Sequence, residues 1–270
     1  MTGASATGAP AARGVVAASL GTPEQSALGR SRPEPVDAAR LRWSRFLPAT
    51  EAEGPGRRAA LWVQGCSVRC PGCFNPQLWA AAGAQTSDPE ALAARWVAEA
   101  LAAGSTGITL LGGEPFDQAA PLSVVARAFR EAGLGVMSFS GYRYEQLLDW
   151  GRGRDDIARL LGETDLLCDG PFLRDHPDAE RPWIGSTNQS IRALGARYAD
   201  DVRAIARTGS GTDRLEVRID ADGLVSVNGW ADAAALEALL HGLGRRADRP
   251  LPGRPAPARP GRSTREERAA

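Results

Sequence analysis

The sequence contains no lysine and no long apolar run. All 32 of its basic residues are therefore arginines, and 32 acidic residues balance them, so that the formal net charge is +0. Because the chain as a whole has no excess of positive charge, its composition does not favour nucleic acid or an anionic membrane as a partner. No stretch approaches the roughly 18 apolar residues that a membrane-spanning helix needs. We therefore expect a cytoplasmic protein that binds neither nucleic acid nor membrane.

Histidine is scarce, and cysteine is rare but clustered. The two histidines, His176 and His241, are far along the chain from the stretch Cys66-x3-Cys70-x2-Cys73, which contains three of the four cysteines. Four cysteines in a chain of 270 residues do not suggest a disulfide framework. The clustering favours metal or redox chemistry instead.

The two ends of the chain lack the periodicity of helices or strands. Residues 1–38 and 245–270 are dominated by small residues, proline and arginine, and we expect both segments to be disordered. The segment 39–244 between them is predicted to be the folded domain, with its core at 43–194.

Within this domain, strand-like and helix-like patterns alternate. Short apolar runs predict strands at 59–65, 107–113, 134–141 and 164–170. Apolar residues at helical spacing predict helices at 87–104, 118–133 and 144–161. The alternation predicts an α/β fold with a parallel sheet, either open or curled into a full or partial barrel. A β-hairpin at 214–230 and a helix at 231–244 are predicted to follow.

The most distinctive short motifs fall at the predicted ends of the strands. Cys66 follows the first strand, the segment 112–115 ends the second, Ser140 ends the third, and the segment 169–171 ends the fourth. Ligands of parallel sheets collect at the carboxyl ends of the strands. The sequence therefore predicts a binding site at this rim.

Three cysteines in one loop are one short of a complete ligand set for a 4Fe-4S cluster. Each iron needs one outside ligand, so a three-cysteine cluster leaves one iron open to a cofactor. Two alternatives remain at this stage. A structural zinc site would recruit Cys168, which lies in a predicted buried strand and is also explained as a core residue. An electron-transfer cluster of the ferredoxin kind would want a fourth cysteine nearby.

Five stretches of the sequence, in order, resemble one protein family. They are "GPGRRAALWVQGCSVRCPGCFNPQLW" (54–79), "LLGGEPFDQAAPL", "SGYRYEQL", "DLLCDGPFLRD" and "WIGSTNQSI". The cysteine spacing resembles the signature of the radical S-adenosylmethionine superfamily, and the five stretches together resemble its anaerobic ribonucleotide reductase activating proteins. The resemblance covers about 43–194 and implies a partial (β/α) barrel with one 4Fe-4S cluster and S-adenosylmethionine as cofactors.

The resemblance also implies roles for individual residues. Cys66, Cys70 and Cys73 would each bind one iron. Cofactor-binding positions carried over from the family are Gly72, Phe74, Gly112, Gly113, Glu114, Ser140, Asp169, Asn188 and Gln189. Phe74 would lie beside the adenine, although core packing is an alternative for this side chain, and the Glu114 carboxylate would accept from the amino group of the cofactor. Asp169, Asn188 and Gln189 would lie near the mouth of the site, or else order their own turns.

The function implied by the family is activation of a glycyl-radical enzyme, such as anaerobic ribonucleotide reductase, by a 5′-deoxyadenosyl radical. The expected partners are that enzyme and an electron donor such as flavodoxin or ferredoxin. The family's activating proteins end soon after the "GSTNQ" stretch, whereas this chain continues. The added hairpin motivates a second hypothesis, in which the radical acts on a small molecule or a peptide. A zinc- or cluster-binding module without catalysis is the third.

Overall fold

The computed structural model describes residues 40–208, 215–219, 225–229, 237–239 and 241–242. The ends that were predicted to be disordered, 1–38 and 245–270, lie outside these residues. The chain divides into two units, Met1–Gly229 and Trp230–Ala270. In the second unit the described residues are helical and fall within the helix predicted at 231–244, the rest of which lies outside the described part.

A seven-stranded sheet forms the centre of the first unit. Its strands are β1 (Leu41–Thr50), β2 (Arg58–Val63), β3 (Gln85–Ser87), β4 (Gly107–Gly112), β5 (Gly135–Ser140), β6 (Leu166–Asp169) and β7 (Ser190–Ala193). Their order across the sheet is β3-β1-β2-β4-β5-β6-β7. The neighbours β2, β4, β5 and β6 run parallel, while β1, β3 and β7 pair antiparallel at the two edges.

The four parallel strands are those predicted from the sequence, and their ends fall within two residues of the predicted ends. All six residues of β2 are buried, as expected of a strand that is covered on both faces. The register places Leu61 beside Leu110, Leu110 beside Ser138, and Ser138 beside Leu167. Mixed α/β architecture is thus confirmed, whereas the predicted curling into a partial barrel stays a prediction.

Helices cover one face of this sheet. They are α1 (Pro89–Ala102), α2 (Ala119–Glu131), α3 (Tyr144–Gly151) and α4 (Asp155–Glu163). Their buried side chains form one apolar core with alternate residues of the parallel strands. Local sequence explains where α1 begins, because Asp88 Oδ1 accepts a hydrogen bond from Ala91 N at 2.8 Å and Pro89 occupies the first turn.

Two parts of the fold differ from the prediction. The helix expected at 144–161 is two helices, α3 and α4, separated around Gly151 and Gly153. Strand β1 was not predicted, because register shifts between Trp43 and Arg45 and between Leu47 and Thr50 break its alternation of apolar and polar residues. The short strands β3 and β7 were not predicted either.

A helix and a strand pair follow the sheet. Helix α5 (Ala199–Thr208) precedes β8 (Leu215–Ile219) and β9 (Val225–Gly229), which pair antiparallel. This pairing confirms the two antiparallel strands of the predicted hairpin, whose turn lies outside the described residues. In the described part of the chain, no helix has the length and apolar character needed to cross a membrane.

Candidate active site at the carboxyl ends of the parallel strands

The three clustered cysteines lie in the loop that leaves β2. All of them are free thiols; Cys70 is buried, and Cys66 and Cys73 are half-buried against the same core. A tight turn closes part of the loop, because Cys73 N donates to Cys70 O at 3.1 Å. The start of the loop is joined to its return, since Cys66 N donates to Trp79 O at 3.0 Å. One continuous loop therefore presents three thiols at the predicted rim of the sheet.

Burial keeps two of these thiols protonated when no cation is present. It raises the pKa of Cys66 to about 12, with the Glu114 carboxylate adding to the effect, and the pKa of Cys70 to about 11. Backbone N–H groups already point at the sulfurs: Asn75 N lies 3.4 Å from Cys73 Sγ. Thiols of this kind release their protons when a metal centre supplies compensating positive charge.

The fourth cysteine does not belong to this group. Cys168 lies in β6 and packs with Met137, Leu166, Ile184 and Tyr198, in a core cluster separate from the one that the other three cysteines contact. The zinc site that would have recruited Cys168 is therefore wrong, and the interpretation of Cys168 as a core residue is confirmed.

The donor set consists of three thiols from one loop. Within the described ranges, no three side chains of His, Cys, Asp or Glu are placed to hold one metal ion. Ligands of one tetrahedral zinc lie about 4 Å from one another, whereas each cysteine of an iron–sulfur cluster binds a different iron. Three free thiols on one loop, with N–H groups near the sulfurs, match what a three-cysteine 4Fe-4S cluster requires.

Phe74 is an exposed aromatic surface beside the cysteine loop. Its side chain is 61% exposed and leans against Phe172 with the ring centroids 5.6 Å apart. The alternative that Phe74 is a core residue is therefore wrong. Gly72 has a φ of +83°, a backbone conformation that residues with a side chain rarely adopt. The turn between Cys70 and Cys73 thus requires glycine.

The two glycines that end β4 pack directly on the start of the cysteine loop. Gly112 has a φ of +103°. A Cβ on Gly113 would lie 2.3 Å from Gly65 O. Backbone hydrogen bonds fix the contact, as Gly113 N donates to Val63 O at 2.8 Å and Glu114 N donates to Gly65 O at 2.9 Å. The glycines thus allow the ends of β2 and β4 to meet at the rim.

Glu114 is a buried carboxylate that already has protein partners. It accepts hydrogen bonds from Ser140 Oγ at 3.0 Å, from Gly141 N at 2.7 Å and from Phe116 N at 3.0 Å. Burial, together with the charge of the neighbouring Asp117, raises the pKa of Glu114 to about 8. The side chain therefore joins the end of β4 to the end of β5 through Ser140. Its expected contact with the amino group of the cofactor stays a prediction.

Asp169 joins the end of β6 to the next helix and the edge strand. Its carboxylate accepts from Tyr144 N at 2.9 Å and pairs with Arg192 Nε at 2.7 Å. Burial raises the pKa of Asp169, while these hydrogen bonds oppose the rise. Both carboxylate oxygens therefore have partners in this structure.

The amides of Asn188 and Gln189 hold their own loop against the turn after β6. Asn188 Nδ2 donates to Pro171 O at 2.8 Å, and Gln189 Nε2 donates to Gly170 O at 3.1 Å. Gln189 Oε1 accepts from the backbone of Gly185 at 3.0 Å. The structure thus brings this loop to the same rim, and it supports the alternative in which both side chains order local turns.

Several polar residues that tie the rim together were not predicted. Asp117 and Tyr142 hydrogen-bond to Ser67 in the cysteine loop. Gln118 is buried and donates to Gln64 O at 3.1 Å. The signal was present in part, because "FDQ" and "GYR" lie inside the stretches that resemble the family. Nothing local distinguishes such residues from polar residues in ordinary turns.

Comparison with known proteins places this site in a family. Residues 52–192 match the family model described as 4Fe-4S single cluster domain. Proteins named anaerobic ribonucleoside-triphosphate reductase-activating protein are similar to this chain. The protein from Salmonella typhi is 31% identical over 160 residues, 57% of this chain and 99% of the relative. The protein from Escherichia coli K12 is 29% identical over the same shares, and that of phage T4 is 27% identical over 56% of this chain and 93% of its own. The chain therefore belongs to the 4Fe-4S single cluster family that includes these activating proteins.

Proposed function

We propose that this protein activates a glycyl-radical enzyme, most simply an anaerobic ribonucleotide reductase. The observation that carries the proposal is the loop with three free thiols at the rim of the sheet, together with the position of Cys168 in a separate core cluster. The names of the relatives support the choice of target.

When bound, the cluster and S-adenosylmethionine would supply a 5′-deoxyadenosyl radical, which can take a hydrogen atom from a glycine of the partner enzyme. The balanced products would be methionine, 5′-deoxyadenosine, a glycyl radical and an electron donor oxidised by one electron. The protein's own residues would hold and orient these cofactors. Cys66, Cys70 and Cys73 provide three thiolates, and the exposed ring of Phe74 provides a flat surface for the adenine. The backbone of Gly112 and Gly113 would approach the methionyl part.

Finer features of the fold and setting belong to the same proposal. The sheet would curl as a partial barrel whose open side admits a loop of the partner enzyme, and 39–244 would form the functional domain. Reduced flavodoxin or ferredoxin would supply the electron. A cytoplasmic location suits this chemistry, because thiols stay reduced there.

Replacing Cys70 by alanine tests the assignment. We expect Cys70→Ala to lose the cluster and all cleavage of S-adenosylmethionine, because two thiolates cannot hold it. The measurement is iron and sulfide content after anaerobic reconstitution, followed by 5′-deoxyadenosine formation with dithionite. Cys168→Ala is the matched control. It removes a buried sulfur but should keep the cluster, at a cost of about 1 kcal/mol in the free energy of unfolding. Full activity of Cys70→Ala, or zinc in place of iron in the unmodified protein, would contradict the proposal.

A second candidate function has one observation in its favour. The strand pair β8–β9 lies beyond residues 52–192, which match the family model. An added edge of this kind suits recognition of a small molecule or a peptide. Mixing the reconstituted protein with a candidate glycyl-radical enzyme separates the two functions. A stoichiometric complex and a glycyl signal in electron paramagnetic resonance support activation, whereas cleavage of the cofactor with neither favours the second function.

A further inference from the structure

Asp117 is a buried carboxylate at the rim that accepts three hydrogen bonds. Its Oδ2 accepts from Ser67 N at 2.7 Å, and its Oδ1 accepts from Ser67 Oγ at 2.9 Å and from Tyr142 OH at 2.7 Å. The two hydroxyl oxygens of Ser67 and Tyr142 lie 2.5 Å apart. Asp117 is 9% exposed and Tyr142 is fully buried. The carboxylate thus lies in a closed network in which all three donors have a partner.

The donors come from separate loops. Ser67 directly follows Cys66 in the loop after β2, Asp117 follows β4, and Tyr142 follows β5. Tyr142 is itself anchored, because its carbonyl accepts from Gly170 N, after β6, at 3.0 Å. The network therefore connects the first thiol of the cysteine loop to the ends of the other three parallel strands.

The position of Cys66 depends on this network on the carboxyl-terminal side of the residue. On its amino-terminal side the backbone is held by the hydrogen bond from Cys66 N to Trp79 O at 3.0 Å. On its carboxyl-terminal side, both the backbone and the side chain of Ser67 bond to Asp117. Arg69 Nε, from an exposed side chain, also donates to Cys66 O at 3.2 Å, and the backbone N–H groups of Val68 and Arg69 face the Cys66 thiol.

We propose that Asp117 is a positioning residue for the iron–sulfur cluster, which fixes the Cys66 thiol by holding Ser67 against the ends of β4 and β5. The inference rests on the proposed function, because it assigns Cys66 to the cluster. The Asp117 carboxylate accepts its hydrogen bonds from Ser67 and Tyr142, so it acts on the position of the thiol through Ser67. Residues that orient metal ligands in this way typically change metal affinity by about 10- to 100-fold when they are replaced.

The test compares Asp117→Ala and Asp117→Asn with a matched buried aspartate. Asp165→Ala is the control, since Asp165 is also buried and accepts from the backbone of Val136 at 2.9 Å, but at the opposite end of the strands. The first measurement is the rate of iron release to a chelator, at a temperature well below the midpoint of thermal unfolding. The second is the electron paramagnetic resonance spectrum of the reduced cluster. The third is the midpoint of thermal unfolding of each protein without its cluster.

We expect Asp117→Ala to release iron about 10-fold faster than the unmodified protein and to alter the spectrum. Asp117→Asn should release iron at a rate between those of the unmodified protein and Asp117→Ala. The amide oxygen of asparagine can still accept from Ser67 N, and the two hydroxyls can turn to accept from the amide N–H groups. Asp165→Ala should lower the unfolding midpoint and leave iron release unchanged.

Equal iron release in the unmodified protein and both Asp117 variants would overturn the inference, as would equal acceleration by Asp165→Ala. If Asp117→Ala does not fold, the rates of iron release of Tyr142→Phe and Asp117→Asn test the inference instead. Each should release iron severalfold faster, and unmodified rates in both would overturn the inference. An unmodified protein that takes up no iron would overturn the proposed function itself, whereas unchanged release with an intact cluster would overturn only the role of Asp117.

Discussion

At the scale of single residues, the site depends on glycine, which has no Cβ atom. The end of β4 and the start of the cysteine loop approach each other so closely that a Cβ on Gly113 would meet the O, C and N atoms of Gly65 at 2.3 to 3.1 Å. All three are backbone atoms, which cannot move aside as a flexible side chain can. The contact is therefore specific to glycine for steric reasons.

Gly113→Ala should destabilise the protein by about 1–3 kcal/mol in the free energy of unfolding, because the added methyl group forces the two chain segments apart. Gly153→Ala is the control, since a Cβ there would meet nothing within 4 Å. Urea unfolding of the cluster-free proteins measures both. Identical midpoints for the two variants would show that the loop absorbs the methyl group without cost.

At the scale of elements, β8–β9 attaches to β1 through polar groups. Arg45 Nη1 donates to Asn228 Oδ1 at 3.0 Å, Thr50 hydrogen-bonds to Glu216, and Gly229 N donates to Glu53 Oε1 at 3.0 Å. Successive side chains of β8 point to opposite faces of the strand pair, and Ile219 is on the face away from these contacts. Its side chain is 66% exposed. The attachment of this pair is therefore sensitive to charge.

Glu53 should make stability depend on pH. The pKa of Glu53 is raised to about 7, chiefly by burial and also by the charge of Glu216, against the opposing effects of the hydrogen bond from Gly229 and the charge of Arg45. Because the folded protein holds this proton more tightly than the unfolded chain, the stabilisation is present below about pH 4.5 and is lost as the pH rises through 7.

Glu53→Gln removes that proton equilibrium. Relative to the unmodified protein, the variant should therefore gain stability between pH 5 and pH 7.5, by at most about 1.4 kcal/mol for each pH unit. Urea unfolding at the two pH values measures the difference. A difference that does not change with pH would contradict the raised pKa.

At the scale of the whole molecule, four strand ends share one site. The loop after β2 carries the thiols. Glu114 and Asp117 connect it to the segments after β4 and β5, and Asp169 connects the segment after β5 to the end of β6. A ligand that binds this rim therefore contacts several parts of the fold at once.

S-adenosylmethionine should stabilise the reconstituted protein by mass action, since it binds only the folded form. At 100 times the dissociation constant the expected gain is about 2.7 kcal/mol in the free energy of unfolding. Anaerobic thermal unfolding with and without the cofactor measures it, and Cys70→Ala should show no gain. An equal gain in Cys70→Ala would indicate binding that does not involve the cluster.

The parallel strands and the first helices were predictable from the sequence because their signals are local. The residues of β2 and β4 form short apolar runs, and α1 begins at an aspartate followed by proline. The bulged strand β1 was missed because its alternation is broken. The break between α3 and α4 was missed because glycine marks it only weakly.

The sequence by itself determined the cysteine spacing, the order of the motifs and the rim on which they meet, since these follow from local pattern and from strand direction. Only the tertiary structure decided that Cys168 packs in a separate core cluster, that Phe74 is exposed and that Glu114 is already hydrogen-bonded. It also revealed Asp117, which lies 50 residues from its partner Ser67. The direction of a side chain and the partners of a buried carboxylate depend on distant segments that meet only in the folded chain, and no local pattern records that meeting.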